Sequence, residues 1–248
     1  MIKIESLNLR YPLMGHFSHS LQSHLLNSVG GVLAGKSKEL VSYVHALRDI
    51  NLFVSDGSRV GIIGHNGAGK TTLLRVISGV YPPSSGAITT NGTVHALTDF
   101  TLGMDPNADG IKNIIFRLIF MGYKFADAKK AVDDIVDFSG LGEFINLPIR
   151  TYSTGMYLRL AFSISTHFAP DILVLDEVIG AGDESFRDKA QKRLDHLIDQ
   201  SRIVVLSSHD IGAINKYCTR TIWMEKGSIM MDEDSKTVTD SYLSSISR

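Results

Sequence analysis

The sequence predicts an α/β fold, and three observations carry that prediction. A short apolar strand, Val60-Gly61-Ile62-Ile63, runs into a glycine-rich loop and then into the helical stretch Thr72-Leu73-Leu74-Arg75-Val76-Ile77. Two further runs, Ile172 to Leu175 and Ile203 to Ser207, are apolar at nearly every position, as in parallel strands covered on both faces. Between these strands, from about Ile111 to Phe168, the pattern is helical.

Along the chain, Ile2 to Leu9 alternates and predicts an opening strand. Ala46 to Val54 predicts a second, ended by the turn at Asp56-Gly57. Between them, Leu21, Leu25, Val29 and Leu33 recur four residues apart, so His19 to Gly35 predicts an amphipathic helix weakened by Gly30 and Gly31. After the turn Pro82-Pro83-Ser84-Ser85-Gly86, Ala87 to Leu97 predicts a strand and hairpin. The helical region is expected to break near Gly140 and Pro148, and Val238 to Ile246 predicts a short closing helix. Neither a repeat nor a linker interrupts the chain, so residues 1–248 are expected to form one domain.

Composition narrows the function. The 25 basic and 26 acidic residues nearly cancel, which gives no basic excess for nucleic acid. No apolar run reaches the roughly 18 residues that cross a bilayer, so any membrane work is expected to pass through a partner. Met1-Ile2-Lys3-Ile4-Glu5 lacks the layout of a secretory signal, and the expected compartment is the cytoplasm. Cys218, the single cysteine, has no internal disulfide partner and reads as a silent buried thiol.

The chemistry is concentrated in Gly64-His65-Asn66-Gly67-Ala68-Gly69-Lys70-Thr71-Thr72, which fits G-x-x-x-x-G-K-[ST] at every fixed position. Glycine lets such a loop curl until its N–H groups converge on phosphates, so the chain is expected to bind ATP or a related triphosphate. Lys70 would reach the terminal phosphates and Thr71 would offer its hydroxyl to Mg²⁺. A second motif follows the strand Ile172 to Leu175: Asp176 is suited to holding Mg²⁺, and Glu177 to polarising an attacking water. His209 follows the strand Ile203 to Leu206, and it would sit near the carboxylates if the two strands pair.

Tyr152-Ser153-Thr154-Gly155-Met156 opens a helix about twenty residues ahead of Asp176, and that order resembles the ATP-binding cassette (ABC) family. The resemblance implies a P-loop ATPase fold with a mixed core sheet, an antiparallel β subdomain and a helical subdomain at about 100–168 ending in this signature helix. It implies that Ser153, Thr154 and Gly155 meet the γ-phosphate held by a second copy, as a helix N-terminus can. Thr154 and Met156 depart from the family pattern. Asp183 lies at the D-loop position, although Gly182 replaces the usual leucine, and His209 lies at the switch-histidine position. Tyr11 is similar to the aromatic residue that stacks on adenine, with Tyr43 and His45 as competitors. No glutamine lies between Gln22 and Gln191, so Asp99 is taken as the stand-in for the missing glutamine of the family's metal-linked loop.

Two longer strings, Thr151 to Phe162 and Asp176-Glu177-Val178 through Gly182-Asp183, Phe186 and Lys189, look like the ATPases that export O-antigen, capsule and teichoic acid polysaccharides. The insertion at about 12–43 is similar to one in those exporters. The resemblance implies an ATP-sandwich homodimer, bound through integral-membrane permease subunits to the cytoplasmic side of the inner membrane. The polysaccharide would be contacted mainly by the permease, since the chain ends without the C-terminal sugar-reading module of some O-antigen ATPases. The alternative is a soluble ABC-type ATPase acting on nucleic acid or ribosomes, whose usual paired cassettes or long coiled coil are not seen here. A nonhydrolysing regulatory subunit would need damage at Lys70, Asp176, Glu177 or His209, and all four are intact.

Overall fold

The computed structural model describes residues 1–12, 43–97, 102–177 and 184–246. Its strands are β1 (Ile2–Pro12), β2 (Tyr43–Val54), β3 (Arg59–Ile63), β4 (Ser85–Thr90), β5 (Val94–Leu97), β6 (Ile172–Asp176), β7 (Ile203–Ser207), β8 (Arg220–Glu225) and β9 (Ser228–Asp234). Its helices are α1 (Lys70–Ile77), α2 (Gly110–Phe120), α3 (Phe125–Lys130), α4 (Val132–Ser139), α5 (Thr154–Ser165), α6 (Glu184–Gln200), α7 (Ile211–Tyr217) and α8 (Ser235–Ile246).

Six strands form the main sheet in the order β5-β6-β7-β3-β8-β9. All neighbours are parallel except the β8–β9 hairpin, so the sheet is mixed as expected. The parallel strands alternate between two cores: Val60, Ile62, Val174 and Val205 face one, while Ile63, Leu173, Leu175, Val204 and Leu206 face the other. Burial on both faces is why these strands read as unbroken apolar runs. Helix α1 covers the first face with Leu73, Leu74, Val76 and Ile77, and α6 covers the second with Leu194, Leu197 and Ile198. A third core, including Ile114, Leu118, Ile135, Leu160 and Ile164, belongs to the helical region.

A second sheet, β2-β1-β4, is antiparallel. Here the expected hairpin over Ala87 to Leu97 is corrected: β4 pairs with β1, Ile4 opposite Ile88, whereas β5 pairs with β6, Val94 opposite Ile172. The chain crosses between sheets at Asn91-Gly92-Thr93. Gly92 has φ +120 and lies so close to Asp171 that a Cβ there would be 2.6 Å from it. The Thr93 N–H and hydroxyl both donate to the Asp171 carboxylate, at 2.8 and 3.0 Å, and hold the crossing. The helical region breaks at Gly140, which caps α4 at φ +65, and near Pro148, where 3-10 turns at Gly142–Asn146 and Ile149–Thr151 replace α-helix. A further break, between α2 and α3, has no proline to announce it; the Gly122 backbone takes φ +94 there. Cys218 is buried as read, and burial pushes its thiol up to about 12.

Arg220 ties the two sheets together. Its Nε and Nη2 donate to the two Asp232 carboxylate oxygens at 2.6 Å each, and its Nη1 to the Phe53 carbonyl of β2 at 2.8 Å. Arg220→Met should therefore cost about 1.5–3 kcal/mol, the worth of a charge-assisted hydrogen bond. Thermal denaturation should show it as a fall of about 2–4 °C per kcal/mol for a protein of this size. An unchanged midpoint would mean that the sheets do not depend on this contact.

Candidate functional site

The site is built at the carboxyl ends of β3, β6 and β7, where open α/β sheets bind ligands. After Ile63 the chain must leave the central strand and enter α1 within a few residues. Gly64 makes the exit at φ +146, pressed so closely on the β8–β9 hairpin that a Cβ would lie 2.3 Å from the Met224 carbonyl oxygen. Gly69 makes the entry at φ +104 as the N-cap residue of α1. The hairpin turn holds the loop between them: the Gly227 N–H donates to the Ala68 carbonyl at 2.9 Å. Ala68 is buried, whereas His65, Asn66 and Gly67 form an exposed rim, and the His65 ring bonds the Asn66 carbonyl at 2.7 Å.

The first helical N–H to find an intrahelical acceptor is that of Leu73, bonded to the Gly69 carbonyl at 2.9 Å. The amides of Lys70, Thr71 and Thr72 thus form the positive end of α1 and point at whatever sits before it. Lys70 is only 7% exposed; its ammonium donates to the carbonyls of Gly64 at 2.6 Å and His65 at 3.1 Å. Burial pulls its pKa below the ordinary lysine value, and the Asp176 and Glu177 carboxylates oppose that shift.

Strands β6 and β7 pair in register, with Asp176 opposite Ser207, and this places the acidic motif and His209 side by side. Asp176 ends β6 half-buried. Glu177 then turns the chain at φ +66, a left-handed conformation that costs a side-chain-bearing residue on the order of 1–3 kcal/mol. Its N–H still donates to the Ser207 carbonyl at 2.7 Å, so the backbone is anchored while the carboxylate projects outward. One Glu177 oxygen lies 3.9 Å from His209 Nε2.

A cleft of about 360 Å³ joins these groups. It brings together Asn66 to Thr72, Asp176, Glu177 and His209 from the predicted set, and Tyr11 and His45 line it too. Tyr43, the other candidate for the base platform, is paired with Pro12, is 53% exposed, and lies off the cleft. Tyr11 is braced edge-on by Tyr81, with ring centroids 5.7 Å apart, and packs against the sheet core. Burial raises the Tyr11 pKa, and a hydrogen bond with Thr72 works against that rise. Asp99, Asp183, residues 13–42 of the expected 12–43 insertion and with them the helix expected over His19 to Gly35 lie outside the described residues.

Ser207 also lines the cleft, and sequence reading took it only as the end of an apolar strand. Its buried hydroxyl has no hydrogen-bond partner within the protein, the one side-chain polar atom so placed among the described residues. A polar residue two positions before His209, at the end of an otherwise apolar strand, was the available signal. Together these groups fit a nucleoside triphosphate with a hard divalent cation: converging N–H groups and an ammonium for phosphate, and the oxygens of Thr71 and Asp176 for the metal. Among the described residues no three His, Cys, Asp or Glu side chains converge as a metal cage. A cation here would complete its shell with phosphate and water oxygens, as Mg²⁺ does.

The predicted signature residues stand elsewhere. Ser153 is the N-cap of α5, its hydroxyl accepting from the Met156 N–H at 3.2 Å. Ser153 and Gly155, with Met156, Arg159 and the 140–144 turn, line a separate hollow of about 680 Å³ that shares no residue with the phosphate cleft. Thr154 begins the helix, exposed beside them. Among the described residues no helix is long and apolar enough to cross a membrane.

Residues 47–180 match the family model described as ABC transporter. Among curated relatives, the O-antigen export system ATP-binding protein RfbE of Yersinia enterocolitica is 42% identical over 91% of this chain and 94% of its own length. RfbB of Myxococcus xanthus, of the same description, is 40% identical over 92% of this chain, which spans only 52% of that protein. The teichoic acids export ATP-binding protein TagH of Listeria innocua is 36% identical over 90% of this chain and 66% of its own length. In structure the chain is similar to a dimeric ATP-binding cassette in a post-hydrolysis state bound to ADP and Pi, with TM-score 0.68 and 20% identity over 95% of this chain and 99% of that one.

If the Ser207 hydroxyl awaits a bound group, Ser207→Ala should leave the ligand-free protein as stable or more stable, by up to about 1 kcal/mol, because an unpaired buried polar atom is removed. The thermal shift produced by MgATP should shrink at the same time. A full shift in the variant would take Ser207 out of the site.

Proposed function

The chain belongs to the ABC transporter ATP-binding family, and from that premise we propose that it is the ATP-hydrolysing subunit of an exporter moving a lipid-linked polysaccharide, O-antigen first and teichoic acid or capsule next. The observation that carries this reading is the 42% identity to an O-antigen export ATP-binding protein over 94% of that protein's length. On the same reading the chain sits on the cytoplasmic face of the inner membrane, held there by integral-membrane permease subunits that touch the glycan. The 1–248 stretch acts as one cassette, with 12–43 as an exporter-type insertion and about 100–168 as the helical subdomain. The nucleic-acid alternative has less behind it, since the charge balance is near zero.

In the proposed mechanism the amides at the start of α1 and the Lys70 ammonium bind the phosphates, and Tyr11 receives the adenine with His45 beside it. Thr71 and Asp176 would hold Mg²⁺, with Asp99 as a further proposed contact, and the cation would offset phosphate charge. Glu177 accepts the proton of the attacking water, and its outward-turned carboxylate is free to meet a ligand that arrives from above the sheet. His209 donates a hydrogen bond to the terminal phosphate from the neighbouring strand end. Ser153 and Gly155, in a hollow of their own, and Thr154 beside them serve the nucleotide of a second copy, and Asp183 lies at the same interface. The Ser153 hydroxyl keeps its capping role by accepting from Met156 and has its own proton left to donate. ATP thereby becomes part of the dimer contact; its hydrolysis removes that contact and the pair reopens.

Glu177→Gln should bind ATP, lose hydrolysis by about 100-fold or more, and accumulate as a dimer by light scattering. Lys70→Ala should lose nucleotide affinity. A monomer that still hydrolyses ATP would contradict both the base assignment and the dimer. For the substrate, ATPase activity of the membrane complex is to be measured with candidate lipid-linked glycans. Stimulation by one supports export of that class, whereas copurification with ribosomes or nucleic acid and no response to any glycan favours the alternative.

A further inference from the structure

The two helices beside the signature hollow end without a basic residue in their last turns: α4 has none and α5 has none. A helix C-terminus exposes carbonyl oxygens and partial negative charge, which a nearby cation stabilises. Helix α6 supplies both cations from outside. Lys189 Nζ donates to the Phe138 carbonyl at 3.0 Å and lies 3.4 Å from the Asp137 carbonyl, both in the last turn of α4. Arg193 Nη1 donates at 3.4 Å to the carbonyl of Thr166, the C-cap residue of α5.

The same two cations meet on one aromatic ring. Lys189 Nζ lies 4.5 Å and the Arg193 guanidinium carbon 3.9 Å from the centre of Phe138, within the range of cation–π attraction. Beneath them Phe138, Phe162, Phe186 and Ala190 form a buried cluster separate from the three larger cores. Phe186 of α6 stands edge-on to Phe138 of α4 at 5.6 Å and to Phe162 of α5 at 5.9 Å. Arg159 of α5 lies 5.4 Å over Phe186. Helix α6 is thus joined to both helices of the signature region, while Leu194, Leu197 and Ile198 on its later turns pack on the main sheet.

We propose that Lys189 and Arg193 are positioning residues: by capping α4 and α5 from α6, they fix the direction of the helix whose N-terminus offers Ser153 and Gly155 to the nucleotide of a second copy. This rests on the composite-site reading above. With 12 residues, α5 is about 18 Å long and stiff. Release of its C-terminal end at Arg193 therefore swings the signature end. Because α6 follows the catalytic strand after residues 178–183, the same helix ties the signature region to the segment leaving Glu177.

The test is the double variant Lys189→Met with Arg193→Gln, made in the full chain both with and without Glu177→Gln. Hydrogen exchange along α5 should accelerate at least tenfold while exchange in the phosphate loop and the affinity of a single copy for a fluorescent ATP analogue stay within about twofold. In the Glu177→Gln background, ATP-dependent association should weaken about tenfold or more, and with Glu177 present kcat should fall more than KM changes. Lys189→Arg with Arg193→Lys, which keeps both charges, should restore association. Unchanged exchange along α5 would overturn the proposal, as would a general loss of nucleotide affinity and melting temperature that the charge-keeping pair does not repair. If Glu177→Gln alone fails to associate with ATP, it is the composite site that falls, and the exchange measurement still decides whether the two cations hold α5.

Discussion

Everything in this molecule is arranged around the central strand β3, whose backbone is hydrogen-bonded on both flanks by parallel strands. Paired on both edges and covered by an apolar core on each face, β3 can neither slide nor tilt. The chain leaving its carboxyl end must therefore turn at once into α1. Gly64 permits that turn because nothing larger than hydrogen fits against the Met224 carbonyl. The loop's amides are then aimed by the sheet and not by the loop itself, since the hairpin of β8 and β9 supports it through Gly227. Anion binding in this protein is a consequence of strand pairing.

The same sheet determines the chemistry around the loop. Parallel register between β6 and β7 sets Asp176 opposite Ser207 and brings Glu177 and His209 within ion-pair range, so acid, base and hydroxyl converge without any side chain reaching far. The strained backbone at Glu177 is tolerated because its N–H remains in the ladder. Helix α5 presents its N-terminus to solvent. The N-termini of α1 and α5 therefore line different hollows of one chain, and the proposed composite site pairs them across two copies.

Much of this was legible in the sequence because it depends on neighbours along the chain. Uniformly apolar runs identify strands buried on both faces, and the spacing of glycines, lysine and threonine identifies the loop. What could not be read depends on contacts between distant segments. Asn91-Gly92-Thr93 has the composition of a hairpin turn, and only Asp171, far along the chain, makes it a crossing between sheets. Which of Tyr11, Tyr43 and His45 line the cleft depends on where the paired ends of β1 and β2 stand against the phosphate loop, a contact between distant segments. Ser207 looked like strand, and its significance lies in having no partner once buried. The roles of Lys189 and Arg193 could not be read because the carbonyls they reach, those of Phe138 and Thr166, lie far from them along the chain.

In the proposed composite site, ATP hydrolysis needs the phosphate loop of one copy and the signature end of another. Mixing two individually inactive variants, Lys70→Ala and Ser153→Arg, measures this most directly by their ATPase rate. Each alone should be inactive, and an equal mixture should recover about a quarter of the wild-type rate, from one intact site in the half of the dimers that are mixed. A mixture as inactive as its components, with mixed dimers present, would place both halves of the site within a single chain and rule out the composite site.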